Sequence, residues 1–419
     1  MTDQAGRIRP FRLTRFLHLH CRPLARLYVL SKSGFPFMPY RINSSPMRRL
    51  RSYARSHIHA HHPLPLRWVE RTIMAISWPF GALVDTVYHL RMEQEHPENS
   101  LLFRGGKMLA LALFENVPPA EYHYFRLQHP ERSRFACDYL YWNEITLLKL
   151  LNDRNGADNQ DVQDKSRFAE ICRSHDLPSI PTLAIYQDGR QTYPDAPFIP
   201  DQPALWVKDL AESQRSGAGQ WTWQDGNYHA PNGMVASAEA IAASWRKRNC
   251  IVQPLVRNHP DLDSLSDGTL ADLRIVTGID RKGEVRMITH DITLPWGGFS
   301  KRPKSVLGKL DDDGRIVRTL YPDGRAAERH PDTGALFSEA IVPFWREARE
   351  LVLEAHRKAF SRFVFLGWDV AITSDGPVLI ETNSGPGFSH HQLLDDLPLG
   401  QTVFPSIACG YFEKGEKCA

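Results

Sequence analysis

The stretch FLGWDVAITSDGPVLIETN (365–383) constrains the fold more tightly than any other part of this 419-residue chain. Two runs rich in β-branched and apolar residues, Phe365–Thr373 and Pro377–Asn383, flank Ser374-Asp375-Gly376. A three-residue connection ending in glycine suits an antiparallel hairpin with that glycine left-handed. Pro377 can open the second strand, because a first residue need not donate to the ladder. Pairing Thr373 with Pro377 sets Asp369 opposite Glu381 and Gly367 opposite Asn383. Alternation then puts Asp369, Glu381 and Asn383 on one face. The other face carries Leu366, Trp368, Val370, Ile372, Val378 and Ile380, a core face.

Two carboxylates opposed on a sheet repel one another. A divalent cation between them turns that repulsion into coordination, and two carboxylates with an amide oxygen suit Mg²⁺. Gly367 opposite Asn383 leaves room for something bulky, and Ser384-Gly385-Pro386-Gly387 follows as a loop that lets a ligand approach the backbone. The same residues equally describe a solvated hairpin with an acidic wet face. The hairpin alone leaves both readings open.

The remainder of the chain narrows the class. Its length allows two or three domains, and 42% hydrophobic residues can build cores. The net charge of +3 hides an asymmetry: residues 1–71 hold 14 Lys and Arg against Asp3 and Glu70. A basic arm thus precedes an acidic body. The six cysteines (21, 137, 172, 250, 409, 418) form no CxxC pair, which favours scattered thiols in a reducing compartment. No stretch has signal-peptide or transmembrane character, so a cytoplasmic protein is expected. Residues 1–60 read as short helices and loops, partly disordered. Such an arm reads first as a solubilising or domain-covering extension; weak contact with a membrane surface or a glycosyltransferase is the alternative, and specific nucleic-acid binding is not expected. His57, His59, His61 and His62 lack a partner Cys or Asp at ligand spacing and read as surface histidines.

Residues 65–115 and Tyr139–Asn152 carry helical spacing, and Asn152–Gln163 is a polar linker. Beyond it, Asp164 caps a helix to about His175, and a strand follows Pro178 and Pro181. LWVKDL (205–210), NCIVQPLV (249–256) and LADLRIVTGI (270–279) are further strands, and Glu339–Phe360 is a helix. Lys208 ends its strand before a glycine loop with Gly217 and Gly219. A lysine there neutralises phosphate charge, and backbone N–H groups without nearby Cβ atoms can close over phosphate oxygens. The loop is neither a Walker A motif nor GxGxxG. A surface strand with a loop explains it equally well taken alone. Gln253-Pro254-Leu255 sits where a hinge between lobes could offer backbone groups to an adenine edge.

Taken together, these elements resemble the ATP-grasp superfamily, from about Asp164 to about Phe404. They run in that superfamily's order: DK at Lys165, strand-borne Lys208 with its glycine loop, IVQPLV, Arg274 on LRIVT, then Asp369 and ETNSGPG. Within it, LRIVT and FLGWDVAITSDGPVLIETN look most like the sugar-transfer-associated group, related to alpha-L-glutamate ligases and linked to surface polysaccharide biosynthesis. ENVPPAEYHYFRL (115–127) also looks like that group's leading region. The resemblance implies an α+β fold, a two-lobed ATP-grasp clamp behind an N-terminal mainly helical extension. The extension would span 1–100, a helical leading region 101–163, the first lobe 164–252 and the second 253–410. It implies ATP between the lobes, with Lys165 and Lys208 on phosphates, the Gly217–Gly219 loop over them and Gln253, Pro254 and Leu255 at adenine. Asp369, Glu381 and Asn383 would hold Mg²⁺, while Arg274 and Lys208 would serve catalysis. The implied activity is ATP-dependent carboxylate–amine ligation through an acyl-phosphate, on a sugar acid or amino acid. A phosphotransferase acting on a small-molecule or sugar acceptor is the alternative. A non-catalytic member and an unrelated α+β protein rank behind. Residues 291–315 lack the asparagine and glycine-pair pattern expected after the central strands, and their lysines with Arg302 suit a different acceptor.

Overall fold

The computed structural model describes residues 45–57, 63–92, 101–210, 219–298 and 304–412. Most of the basic arm lies outside them, as do His59, His61, His62, Gly217 and Arg302. Among the described residues two antiparallel sheets carry the architecture. The first comprises β1 (Ala184–Gln187), β2 (Arg190–Tyr193), β3 (Ala204–Asp209), β4 (Gly219–Gln224), β5 (Asn227–His229), β6 (Val235–Ala236) and β7 (Cys250–Pro254), ordered β2-β1-β7-β3-β4-β5-β6. The second comprises β8 (Asp272–Ile279), β9 (Val285–Trp296), β10 (Lys304–Leu310), β11 (Ile316–Leu320), β12 (Phe365–Thr373) and β13 (Gly376–Asn383), ordered β11-β10-β9-β8-β12-β13.

Helix Trp345–Lys358 covers one face of the second sheet. Trp345, Ala348, Leu351, Val352, Ala355 and His356 recur at helical spacing and are all buried. They pack with Leu273, Ile275, Leu366, Trp368, Val370 and Ile372 in the main core. The helix is shorter than Glu339–Phe360, since Phe344 stands at φ 52° and ends the preceding loop. A buried polar chain runs through this core. Trp368 Nε1 donates to Thr277 Oγ1 at 2.7 Å, Thr277 meets His356 Nδ1 at 2.7 Å, and His356 Nε2 lies 2.8 Å from Phe363 O.

The hairpin forms as expected with one change of register. Thr373 pairs with Gly376, not Pro377, so the connection is the two residues Ser374-Asp375. A β-bulge between Asp369 and Val370 then restores the pairing of Asp369 with Glu381 and of Gly367 with Asn383. An extra residue in one strand turns the following side chains over. Leu379 is therefore the core residue of β13, while Val378 and Ile380, expected on the core face, are only half-buried. Nor is there open room at Gly367: a Cβ there would lie 2.9 Å from Pro386 Cβ and 3.1 Å from Asn383 Oδ1.

The leading region departs further. Tyr139–Asn152 is helical only from Thr146, in a helix to Arg154, and Trp142–Glu144 is a 3₁₀ turn. Extended Leu140 is clasped by Gln392, whose amide accepts from its N–H and donates to its carbonyl at 2.9 Å each. Buried Glu144 receives Arg51 at 2.6 and 2.9 Å, an ion pair no helical pattern reveals. Arg51 belongs to helix Pro46–His57, whose Met47, Leu50 and Ala54 pack with Leu147, Leu148, Phe404 and Ile407. Helices Leu64–Met92 and Leu101–Glu115 account for the described part of the span expected to be helical, and no helix among the described residues is long and apolar enough to cross a membrane.

Candidate functional site

One charged row crosses the second sheet. Arg274 on β8 is registered opposite Asp291 on β9 and opposite Asp369 on β12, and Asp369 is opposite Glu381 on β13. Directly paired residues share a face, so the four side chains stand together. They occupy the face opposite the helix that covers Leu273 and Ile275. Arg274 ion-pairs with Asp369, and their contacting atoms, Nη1 and Oδ1, are buried although 29% and 13% of the two side chains remain accessible.

Burial pushes the Asp369 carboxyl well above the usual carboxylate range; Arg274 opposes this, and the Asp272 and Glu381 carboxylates reinforce it. Burial alone would lower the Arg274 guanidinium, but Asp369, Asp272, Asp291 and Glu381 outweigh it and raise it. The face therefore carries more negative charge than one guanidinium balances. Asp369 Oδ1 accepts no hydrogen bond. Asn383, opposite Gly367, stands two pairs along the ladder from Asp369 and Glu381, on the same face. Hard oxygen donors, one of them buried and held only by an ion pair, fit a hard divalent cation such as Mg²⁺.

The first sheet brings the nucleotide candidates to the same edge. The loop into β1 docks on β13: Ile180 N donates to Leu379 O at 3.2 Å and Leu379 N to Pro178 O at 2.9 Å. A cleft at this junction is lined by Lys165, Lys208 and Gln253 together with Ile180, Leu379 and Ile380. The bulge that removes Ile380 from the core is what turns it into this cleft. Lys165 is the first residue of helix Lys165–Ser174, capped as expected by Asp164, which accepts from Ser166 N and Arg167 N. Its ammonium donates to Asp209 O at 3.1 Å and Leu210 O at 3.4 Å, at the end of the strand that bears Lys208. Both lysines line the cleft together with Ile380, the chain neighbour of Glu381 on β13.

Two expectations need correction. Gly219 is not a loop residue: it opens β4, paired with Val207. The Leu255 N–H is no donor for adenine, because it is bound to Ala204 O at 3.0 Å. The Gln253 side chain is buried, with Nε2 3.5 Å from Ile180 O, and so ties β7 to the interlobe loop. Within 291–315, the described residues include the end of β9 and all of β10, which pair with each other and continue the sheet.

Reading by motif missed Asp291, His390 and His391. Asp291 is fully buried, with His391 Nδ1 at 2.8 Å and His390 Nε2 at 3.2 Å from its Oδ2. The available signal was the pair SHH directly after ETNSGPGF, together with an aspartate at the register position facing Arg274.

Comparison with known proteins agrees with this layout. A family model described as sugar-transfer associated ATP-grasp matches residues 144–402, more than half of the chain. The match begins within the leading region and leaves 115–127 outside. No curated protein matches the chain. Among solved structures, L-amino acid ligase from Bacillus licheniformis is similar at 12% identity and TM-score 0.35, covering 59% of this chain and 48% of that one. D-alanine–D-alanine ligase from Bacillus anthracis is similar at 10% identity and TM-score 0.33, covering 60% and 67%. N5-carboxyaminoimidazole synthase from Aspergillus clavatus is similar at 14% identity and TM-score 0.33, covering 60% and 52%. The chain thus spans about half the length of the first of these.

Proposed function

The chain belongs to the sugar-transfer associated ATP-grasp family, and from that premise we propose that it is an ATP- and Mg²⁺-dependent carboxylate–amine ligase. The family supports an ATP-dependent enzyme; the substrates and the bond formed are our reading. The observation that carries it is a cleft lined by Lys165 and Lys208 that reaches Ile380, the residue before Glu381 on the strand that pairs with Asp369.

A carboxylate is a poor electrophile because its leaving group would be oxide. Transfer of the ATP γ-phosphoryl group to the carboxylate oxygen forms an acyl-phosphate and ADP. Attack of an amine on the acyl carbon then breaks the C–O bond, releasing inorganic phosphate and a proton. Such chemistry demands positioning and charge neutralisation more than a covalent nucleophile. Lys165 and Lys208 stand where they neutralise the phosphates. Asp369, Glu381 and Asn383 would hold Mg²⁺, which when bound offsets charge on the transferring phosphoryl oxygens. Arg274, immobilised between Asp369 and Asp291, presents a preorganised positive charge to the same group. The substrates we assign are a sugar acid or amino acid and an amine, in surface polysaccharide biosynthesis in the cytoplasm. Cys137, Cys172, Cys250 and Cys409 are all free thiols, which suits a reducing compartment.

The N-terminal region supports a membrane-surface partner. Val69, Ile73, Ile76, Leu83 and Val87 recur along helix Leu64–Met92 at helical intervals and are all more than 40% exposed. An apolar stripe beside a basic arm suits an anionic bilayer surface.

The test is titration of ATP with Mg²⁺ into wild type and into Asp369→Asn/Glu381→Gln, followed by a screen for ADP release. Metal-dependent binding lost in the variant, and ADP release requiring both a carboxylate and an amine, is the expected result. ADP release with a hydroxyl acceptor alone would favour phosphotransfer, and equal binding to both proteins would sink the site.

A further inference from the structure

Asp291 faces Arg274 across the ladder on one side and meets His390 and His391 on the other, two imidazoles to which the proposed phosphoryl transfer gives no role. One ligand atom from Asp291 and from each imidazole lies within 4.8 Å of the others. The helix Ser389–Asp395 delivers both imidazoles in its first turn, their rings 4.1 Å apart and tilted by 34°, onto the same Asp291 oxygen.

Neither oxygen of Asp291 and neither ring nitrogen of His391 has a hydrogen-bond partner, although both side chains are essentially fully buried. The 2.8 Å contact between them is close but not aligned as a hydrogen bond. An isolated buried carboxylate is among the costliest groups a protein can hold, and it persists only when paired or coordinated. Arg274 stands opposite Asp291 in the ladder but makes its ion pair with Asp369, and Lys309 makes its own with Asp395.

We propose that Asp291, His390 and His391 form a second metal site, distinct from the Mg²⁺ carboxylates and suited to Zn²⁺ or a similar borderline divalent ion. Two imidazole nitrogens and one carboxylate oxygen are the donors such ions favour, whereas Mg²⁺ prefers oxygen alone. Three protein ligands leave a position open, and His390, 32% exposed, marks the side on which a water or substrate atom can enter. The site stands two strands from Asp369, roughly 10 Å at ordinary strand spacing. That places a Lewis-acidic centre beside the phosphoryl-transfer row, on the side away from β13.

The experiment uses the full chain stripped with a chelator and dialysed. Zn²⁺ is titrated calorimetrically, and Co²⁺ is added in parallel to read visible ligand-field bands. We expect one Zn²⁺ per chain in wild type and in Asp369→Asn/Glu381→Gln. We expect affinity to fall at least 10-fold in Asp291→Asn and in His390→Gln, with the Co²⁺ bands lost. His390→Gln alters a partly exposed residue, so the test survives if the buried aspartate variant fails to fold. No stoichiometric Zn²⁺ in wild type overturns the proposal. So does Zn²⁺ binding that vanishes with Asp369 and Glu381 but persists in His390→Gln. Neither result touches the Mg-ATP reading, which has its own titration.

Discussion

Replacing Arg274 with glutamine probes the charged row directly. The substitution keeps a polar head on a similar stem but removes the cation that separates Asp291 from Asp369. Breaking a buried ion pair from one side costs about 3–5 kcal/mol. Arg274 retains 29% of its side-chain surface, and solvent screening sets the cost at the low end, about 3 kcal/mol. Unfolding entropy is about 2.1 cal/mol/K per residue, or about 0.5 kcal/mol/K over a domain of roughly 250 residues. Tm should therefore fall by about 6 °C. In an Asp369→Asn background the same substitution should cost only about 1 kcal/mol, because the nearest carboxylate is already gone. Urea unfolding of all four proteins in EDTA at about pH 7.5 measures the cycle. The Arg274→Gln protein should also bind Mg²⁺ more tightly than wild type while losing turnover, since the cation no longer faces a competing guanidinium. A cycle additive to within about 0.5 kcal/mol would refute the reasoning, for it would mean that Arg274 and Asp369 do not share energy.

Two further outcomes follow from other parts of the molecule. Burial holds His356 near 4, whereas an unfolded histidine titrates near 6.5, so the unfolded chain binds the extra proton as pH falls between these values. Stability should drop across that window on acidification, and urea midpoints of His356→Gln should show a flatter slope there; an unchanged slope counts against a neutral His356. Asp369 acts with the opposite sign: its raised carboxyl contributes stability at low pH that is lost as pH rises through it, and Asp369→Asn should abolish that loss in metal-free protein. For the helix stripe, Ile73→Glu/Ile76→Glu should release the protein from anionic vesicles in a flotation assay at low salt while ATP binding stays unchanged. Flotation equal to wild type would remove the membrane reading.

Period-2 alternation and turn residues made the hairpin legible in the chain itself, and with it the opposition of Asp369 to Glu381. The capping Asp164, the strands that bear Lys208 and Arg274 and the long helices before Glu115 were legible for the same reason: each is a local pattern enforced by backbone geometry. What lay beyond reach depends on contacts distant in sequence. The bulge that turns Ile380 out of the core shows only in the paired register of β12 and β13, which no period along β13 reveals. Glu144 leaves a helical pattern because Arg51, 93 positions away, supplies a buried counter-charge. The row Asp291–Arg274–Asp369–Glu381 exists only once four strands are in register, and His390 and His391 reach Asp291 only because a separate helix docks there. Local sequence thus determined which elements form and which single groups carry chemistry. Tertiary structure alone decided which charges meet, because burial and cross-strand register, not spacing along the chain, fix the electrostatics of a site.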